Sequence, residues 1–296
     1  MPVSTINTNV GSYVALNNLR SVSLQLQATE KKISTGYVVA DALDNGAVFG
    51  VAQQVRSQIS GNEAANQELG SFIGTVQVAA AAATGISNTL SDIRAIMTHI
   101  SNPTLDENSR AQYRVQFESL VDQMLNFINS GNYNGTNLMS DTDRSLPVIQ
   151  DGSGTTLNVE TSRFNMYSAL NGLVTKAGAA VVAPLVPNKN YAQTLATSDY
   201  TNAASYLAAG GTFLSVSNSI STVLNRIGTL NSRATLQQTF NKTVTDSLAV
   251  GLGALVDADL AAESANLTAV QTKQQLATQS LSIANQNPSI YLKLFQ

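Results

Sequence analysis

Residues 48–100 read VFGVAQQVRSQISGNEAANQELGSFIGTVQVAAAAATGISNTLSDIRAIMTHI, and the spacing of the apolar positions in this stretch decides the fold. Alternating steps of three and four lead from Val48 through Val51, Val55, Gln58, Asn62, Ala65, Leu69, Phe72, Val76, Ala79, Ala83, Ile86, Leu90, Ile93 and Met97 to Ile100. Fourteen of those sixteen slots are apolar. This is the period of a helix carrying one sustained apolar seam. Such a helix is about 80 Å long, whereas a compact sphere made of the whole chain is only about 50 Å across. The stretch predicts a rod-shaped building element rather than a globule.

The seam recurs toward the other end. Phe213, Val216, Ile220, Val223, Ile227, Leu230, Ala234, Gln237, Asn241, Val244, Leu248, Gly251 and Leu255 keep the same alternation, apolar at ten of thirteen slots. A frame shifted by one position follows the Gly251 and Gly253 pair, through Val256, Leu260, Glu263, Leu267, Val270, Gln274, Ala277, Leu281 and Ala284. A short seam opens the chain at Ala15, Leu19, Val22, Leu26, Thr29 and Ile33. The order short, long, middle, long, short is palindromic. It predicts a mainly α protein whose two halves fold back as antiparallel coiled-coil helices, with both termini at one end. Residues 1–47 and 256–296 then form one coiled-coil domain. Residues 48–161 and 212–255 form a second, longer helical domain, and 162–211 a short variable surface segment.

Between these seams the punctuation is clear. Residues 11–34 read as the first helix, closed by Ser34, Thr35 and Gly36. Tyr37–Ala47 is a linker, with the turn formers Asp44, Asn45 and Gly46. Asn102 and Pro103 end the long helix. Thr104 or Asp106 caps a third helix to about Asn129, with Tyr113, Phe117, Leu120, Met124 and Phe127 as its seam. Gly131–Thr136 reads as a loop. Ser145–Gln150 and Thr155–Glu160 flank Asp151, Gly152, Ser153 and Gly154 and read as a β-hairpin with a four-residue turn. Pro184 and Pro187 interrupt the middle, and Gly210 and Gly211 precede the second long helix.

Composition narrows the partners. Charged residues make up 12% of the chain, about half the usual share for soluble domains, and Asn, Gln, Ser and Thr fill the polar positions. Neutral polar groups are less costly to bury against a partner than Lys or Glu, so the surface suits packing by other copies. The net charge of −3 offers no electrostatic case for nucleic acid. With no cysteine there is neither a disulfide framework nor a thiolate metal site. No stretch approaches the ~18 apolar residues of a membrane span, so no membrane insertion is expected. The first twenty residues lack a signal-peptide pattern, and any export is expected to need no cleaved signal.

Enzyme chemistry is not supported. His99 is the single histidine, so no two-histidine zinc motif exists, and a structural or exposed role is expected for it. No nucleophile elbow occurs, and Gly251-Leu252-Gly253 lacks the rest of a dinucleotide fingerprint. Asp141, Asp143 and Asp151 read as solvated turn carboxylates. The sequons at Asn134 and Asn266 match a permissive pattern. Neither a cofactor nor a metal is expected.

Most slots between 48 and 127 read as a core within one chain. The terminal seams differ, because two isolated helices bury too little surface to offset their ordering entropy. They are expected to be disordered in the monomer and to order among neighbouring copies. Leu19, Val22, Leu26, Ile33, Leu267, Val270 and Leu281 are the candidate inter-subunit packing residues. Gly36, Asp44, Asn45 and Gly46, where two helical frames meet, are candidates for a conformational linker.

These residues resemble bacterial flagellin, particularly the short alphaproteobacterial kind, over roughly residues 4–140 and 213–296. Ile6-Asn7-Thr8-Asn9 is similar to the family's start. Ile33-Ser34-Thr35-Gly36, followed by Ala42, Asp44, Asn45, Gly46 and Ala47, resembles its linker, with Leu43 where a lysine is usual. Tyr133-Asn134-Gly135-Thr136-Asn137-Leu138 is similar to its Phe-Asn-Gly loop, and Gly228 with Asn231 and Arg233 resembles its Gly-Ala-x-Gln-Asn-Arg stretch. Thr272-Lys273-Gln274-Gln275, Ala284-Asn285-Gln286 and Leu292-Lys293-Leu294-Phe295 resemble the terminal helix and its hydrophobic tail. Gln296 replaces the common final arginine.

The resemblance implies a filament subunit for swimming motility, exported unfolded through the flagellar type III apparatus and polymerised with other copies of itself. It implies further partners: an export chaperone, the filament cap and the hook-junction proteins. It also implies that Leu292, Leu294 and Phe295 join the inter-subunit packing of an inner tube, and that the longer helices and hairpin form an outer shell. Asp92 and Ala95 flank Arg94 where receptor-stimulating flagellins carry arginine and glutamate, which argues against strong Toll-like receptor activation. Two alternatives stand beside this reading. One is a hook–filament junction protein. The other is a surface adhesin or polysaccharide-binding protein using an exposed aromatic cluster of Phe164, Tyr167, Tyr191, Tyr200 and Tyr206.

Overall fold

The computed structural model describes residues 8–140, 145–167, 170, 203–204, 207–209 and 211–293. Five long helices dominate: α1 (Val10–Thr35), α2 (Ala42–Ile100), α3 (Glu107–Ser130), α4 (Thr212–Val256) and α5 (Leu260–Lys293). Two small antiparallel strand pairs accompany them, β1 (Asn132–Tyr133) with β2 (Thr136–Asn137) and β3 (Ser145–Ile149) with β4 (Thr156–Glu160). The chain divides into two compact units, residues 1–59 with 246–296 and residues 60–245. Both divisions fall inside long helices, one in α2 and one in α4.

The core of the 60–245 unit follows the seam of α2. Every slot from Asn62 to Ile100 is buried, and Leu69, Val76, Ala79, Ile86 and Ile93 are fully so. Against it pack Phe117, Val121, Met124, Leu125 and Ile128 of α3 and Phe213, Val216, Ile220, Val223 and Ile227 of α4. The inward face of α3 is wider than its five-residue seam, because Val121, Leu125 and Ile128 are buried while Tyr113, Leu120 and Phe127 sit at its edges. By length and composition alone α2 could cross a membrane, since its most apolar 18-residue window has a mean hydropathy of 1.5. Here its apolar side covers a helical core.

The α2–α3 corner rests on Arg110, which the heptad pattern does not reveal. Its buried guanidinium donates to the carbonyls of Ile100, Asn102 and Leu105, closing the end of α2. Asp106 caps α3 by accepting the Ser109 N–H. His99 is exposed and stacks on Tyr113 with ring centroids 4.9 Å apart. The segment Gly131–Thr136 is not an open loop: Asn134-Gly135 forms the turn between β1 and β2, the Asn-Gly chemistry of a tight hairpin.

The hairpin of β3 and β4 has the expected register, with Leu146 opposite Val159 and Val148 opposite Leu157. Those four face the core. Its tip is held by both long helices at their polar seam slots. Asn62 Oδ1 accepts the Gly152 N–H at 2.9 Å, and Asn241 Nδ2 donates to the Gln150 carbonyl. The backbone of Gly152 lies so near α2 that a Cβ there would stand 2.7 Å from the Asn62 nitrogen.

After the hairpin, a 3₁₀ turn (Thr161–Phe164) leads into Met166, and Phe164, Met166 and Leu170 are buried in the same core. The segment written as a variable surface piece thus begins as core. The exposed aromatic cluster expected there does not hold at Phe164, which is 5% exposed. Tyr167 packs at the core edge with its hydroxyl on Asn129. Tyr191, Tyr200 and Tyr206 lie outside the described residues, as do Asp141 and Asp143.

In the other unit the sequence frame needs correction in two places. Val51 is exposed and Ala52 fully buried, so the inward face runs through Val48, Ala52, Val55 and Ile59 instead of Val51 and Gln58. In α4 the shift comes a turn earlier than the glycine pair suggests, since Leu252 and Val256 turn inward while Gly251 and Leu255 stay exposed. Both shifts serve a small second core of Val39, Ala52 and Val256, with Val48, Phe49 and Leu252 around it.

Gly152→Ala is expected to destabilise the 60–245 unit by roughly 1–3 kcal/mol, because the methyl meets backbone. Gly228→Ala, where an added Cβ meets nothing, should stabilise by roughly 0.5–1 kcal/mol through helix propensity. Urea unfolding followed by circular dichroism checks both.

Candidate functional site

Among the described residues the candidate site is a set of helix faces and the joint that leads to them. α1 and α5 run antiparallel. Asn9 Nδ2 donates to the Ala284 carbonyl at 2.7 Å near one end of the pair, and Lys32 Nζ reaches Glu263 at 2.9 Å near the other. Asn9 also caps α1 by accepting the Ser12 N–H. The frames read from the sequence face each other here: Leu19, Val22, Leu26 and Ile33 of α1, and Leu267, Val270 and Leu281 of α5, lie on the shielded sides.

Yet this pair has little interior. Among the described residues of both helices, only Ala15, Thr29 and Val270 are buried, and the other seam residues remain partly open. Leu260, a slot of the frame read from the sequence, is exposed instead, and the opposite faces carry further large apolar groups in water: Val10, Tyr13, Val14 and Leu24 on α1, and Leu276 and Ile283 on α5. Periodicity found the seam of the pair but did not single out this outward set, because each helix is apolar on two sides. The signal lay in the residues left over after the heptad frame was drawn. The side chain of Leu292, with Leu294 and Phe295, lies outside the described residues.

The joint between α1 and α2 is tightly tied. Gly36 ends α1 at a φ of 74°, its N–H on the Lys32 carbonyl, a left-handed cap that only glycine adopts without strain. The chain then pairs with the α4–α5 connection: Val38 N–H donates to the Val256 carbonyl, and Ala258 N–H to that of Gly36. Asn45 interrupts α2 in an extended conformation, and its Oδ1 accepts the Val48 N–H, capping the long helix. Gly46 follows without a left-handed φ and with nothing near its Cβ position. Of the linker residues read from the sequence, Gly36 carries the conformational demand, Asp44 and Asn45 serve as hydrogen-bond acceptors, and Gly46 has no need to be glycine.

Lys31 clasps this joint. Its Nζ lies 2.7 Å from both Asp41 and Asp44. Asp44 also accepts the N–H groups of Ala40 and Asp41, and Asp41 accepts those of Leu43 and Asp44. The Lys31 ammonium, helped by these backbone donors, holds both carboxyls below the usual 3.8, and the two carboxylates raise Lys31 above 10.5. The turn so fixed presents Leu43 at 95% exposure.

Comparison with known proteins places these helices in context. Residues 6–144 match the model of the bacterial flagellin N-terminal helical region, and residues 215–295 that of the bacterial flagellin C-terminal helical region. Flagellin FljK of Caulobacter vibrioides is 32% identical over 298 residues, covering 100% of both chains. Flagellin C of Rhizobium meliloti is 30% identical over 320 residues, covering 99% of this chain and all of the relative. The flagellin of Brucella melitensis is 29% identical over 301 residues, with the same coverage.

The clasp has a defined pH window. Carboxyls lowered in the folded joint contribute to it above the ordinary value of 3.8, and the contribution is lost as pH falls through their depressed midpoints. Lys31, raised above 10.5, contributes below that value and ceases to contribute as pH rises through its elevated midpoint. Carboxyl-carbon NMR on the assembled protein should give Asp41 and Asp44 midpoints below 3.8. Lys31→Met should move both upward; unchanged midpoints would remove the clasp.

Proposed function

The chain belongs to the bacterial flagellin family, and from that premise we propose how its faces build the polymer. It is a structural subunit of the extracellular flagellar filament, and its principal partner is another copy of itself. The observation that carries the mechanism is the imbalance of the α1–α5 pair, with three buried side chains inside and large apolar residues outside on both helices. A pair so thin cannot offset the entropy of ordering some sixty residues. Neighbouring copies supply the missing contacts by covering Tyr13, Leu24, Leu276 and Ile283, and the seam of Leu19, Val22, Leu26, Ile33, Leu267, Val270 and Leu281 closes as they do so. Leu292, Leu294 and Phe295 extend the same packing. The 60–245 unit, with its own core, folds before assembly and forms the shell domain.

The same imbalance suits passage through the flagellar type III apparatus as an unfolded chain, with an export chaperone covering the apolar terminal segments and the cap and hook-junction proteins offering the first surfaces to pack upon. The role is structural rather than catalytic. The joint is the adjustable element: its hydrogen-bonded ladder and left-handed cap connect the assembled pair to the shell, and two packings of it, repeated along a strand of subunits, convert a straight tube into a coil.

Purified protein seeded with filament fragments should form filaments visible by negative-stain electron microscopy. Leu276→Asp and Ile283→Asp should abolish them while leaving monomer melting unchanged, since an unpaired carboxylate is penalised only where neighbours exclude water. Leu281→Asp should act likewise, because the α1–α5 pair is closed only in the polymer. Amides within 12–33 and 260–290 should exchange freely in the monomer and be protected in filaments; strong protection in the monomer would sink the proposal that neighbours order the pair.

Gly36→Ala should change filament pitch or block assembly, because a side chain at left-handed φ costs roughly 1–2 kcal/mol. Gly46→Ala should leave the waveform unaltered. Equal pitch in both variants, read by electron microscopy, would take the joint out of the mechanism.

A further inference from the structure

Three of the chain's nine arginines meet on one surface of the 60–245 unit. A groove of about 430 Å³ between the 3₁₀ turn and α4 is lined by Ser162, Arg163, Asn165, Asn218, Thr222 and Arg226, among others. A second groove of about 270 Å³ shares Arg163 and Arg226 and adds Arg233. The two are braced together, since Arg226 Nη1 donates to the Arg163 carbonyl at 2.8 Å. Arg163 pairs with Glu160, the one carboxylate within ion-pair distance of the three guanidiniums among the described residues. Two positive charges are thus left uncompensated on a chain whose net charge is −3.

The same unit carries the complementary charge elsewhere. Glu63, Glu68 and Asp92 of α2 are exposed, and no cation among the described residues lies within ion-pair distance of them. Asp92 borders a separate cleft with Gln116 and Ser119 of α3. The cationic groove and these carboxylates lie on different elements and are opposite in sign.

We propose that the Arg163–Arg226–Arg233 groove is an interface between copies, receiving an exposed α2 carboxylate (Glu63, Glu68 or Asp92) of a second copy. Guanidinium forks bind carboxylates in paired hydrogen bonds, and the Ser, Thr and Asn side chains around them can take the neutral polar groups beside the acid. The groove belongs to the 3₁₀ turn and α4, the acids to α2. The contact therefore joins unlike surfaces, and such a heterologous pairing repeats without closing. Among their described lining residues neither groove has an exposed aromatic face for a sugar ring, since Phe164 is buried. The proposal rests on the filament reading and adds one of its contacts.

Charge reversal tests it. A chain with Arg226→Glu and Arg233→Glu should keep its helical circular dichroism, because both side chains are exposed, and should lose only the stability of the single Arg226–Arg163 hydrogen bond, a cost that Arg226→Gln with Arg233→Gln measures separately. Its critical concentration for seeded polymerisation should rise by about tenfold or more. Adding Glu63→Arg, Glu68→Arg or Asp92→Arg should, for one of the three, return it to about the wild-type value. Polymerisation of the reversed chain at the wild-type concentration overturns the proposal, and so does failure of all three to restore it. In the latter case, retention of wild type but not the reversed chain on an immobilised alginate column assigns the groove to an acidic polysaccharide instead. Wild-type protein that forms no filaments under seeding sinks the filament reading and this contact with it.

Discussion

An apolar stripe on a helix must be covered along its whole length, and this chain has enough partners for only part of its stripes. Between Asn62 and Ile100 the seam of α2 is closed by α3, α4 and the hairpin, leaving Leu69, Ile86 and Ile93 without exposure. Between Val48 and Ile59 the partners dwindle to Val39, Leu252 and Val256. Among the described residues, α1 and α5 pack chiefly on each other. Burial thus falls from a complete core to a bare seam, and the uncovered remainder takes the form of regular helix faces. Regular faces can be covered again and again by identical faces, which a loop-rich surface does not allow.

Polar residues inside the seam decide where the complete core ends. Asn62 and Asn241 occupy slots that would otherwise be apolar, at a cost in lost burial and desolvation. Each recovers it through the hairpin tip: Asn62 accepts a backbone N–H, while Asn241 donates to a carbonyl. Opposite polarities on the two helices make the fit one of register, since a slip of either helix by one turn would strand its amide. Gln237 braces Asn241 at 3.0 Å. A polar slot in a heptad seam specifies alignment at some expense in stability, and here it aligns three elements at once.

Much of this was legible because periodicity reports burial directly. Twelve consecutive α2 slots from Asn62 onward are buried as read, and the β3–β4 hairpin has the expected strands and turn. The failures share a cause: the heptad rule assumes one partner on one face. At Val51 and Leu255 the partner changes, and Ala52 and Leu252 take over the inward face. Phe164 reads as a surface aromatic because no period surrounds it, yet a single 3₁₀ turn carries it into the core. Arg110 is invisible for a related reason, as its partners are backbone carbonyls that every sequence possesses. The outward apolar residues of α1 and α5 were present in the sequence, but only subtraction of the seam isolates them.

A tether of free residues between α1 and α2 would bend continuously and transmit little. Here Gly36 and Val38 are hydrogen-bonded to Ala258 and Val256, so the two chain crossings form one short ladder. Lys31 and Lys32 anchor the start of that ladder to Asp41, Asp44 and Glu263. Moving one crossing without the other would break these bonds in a region where few other contacts compensate. Any change of the joint would therefore have to move both crossings together. The proposed switch between packings rests on that constraint, since strands of one chain can differ in length only if the subunit has discrete geometries to choose from. The left-handed cap at Gly36 is the one backbone position in it closed to other residues, and so the place where the sequence has least freedom to drift.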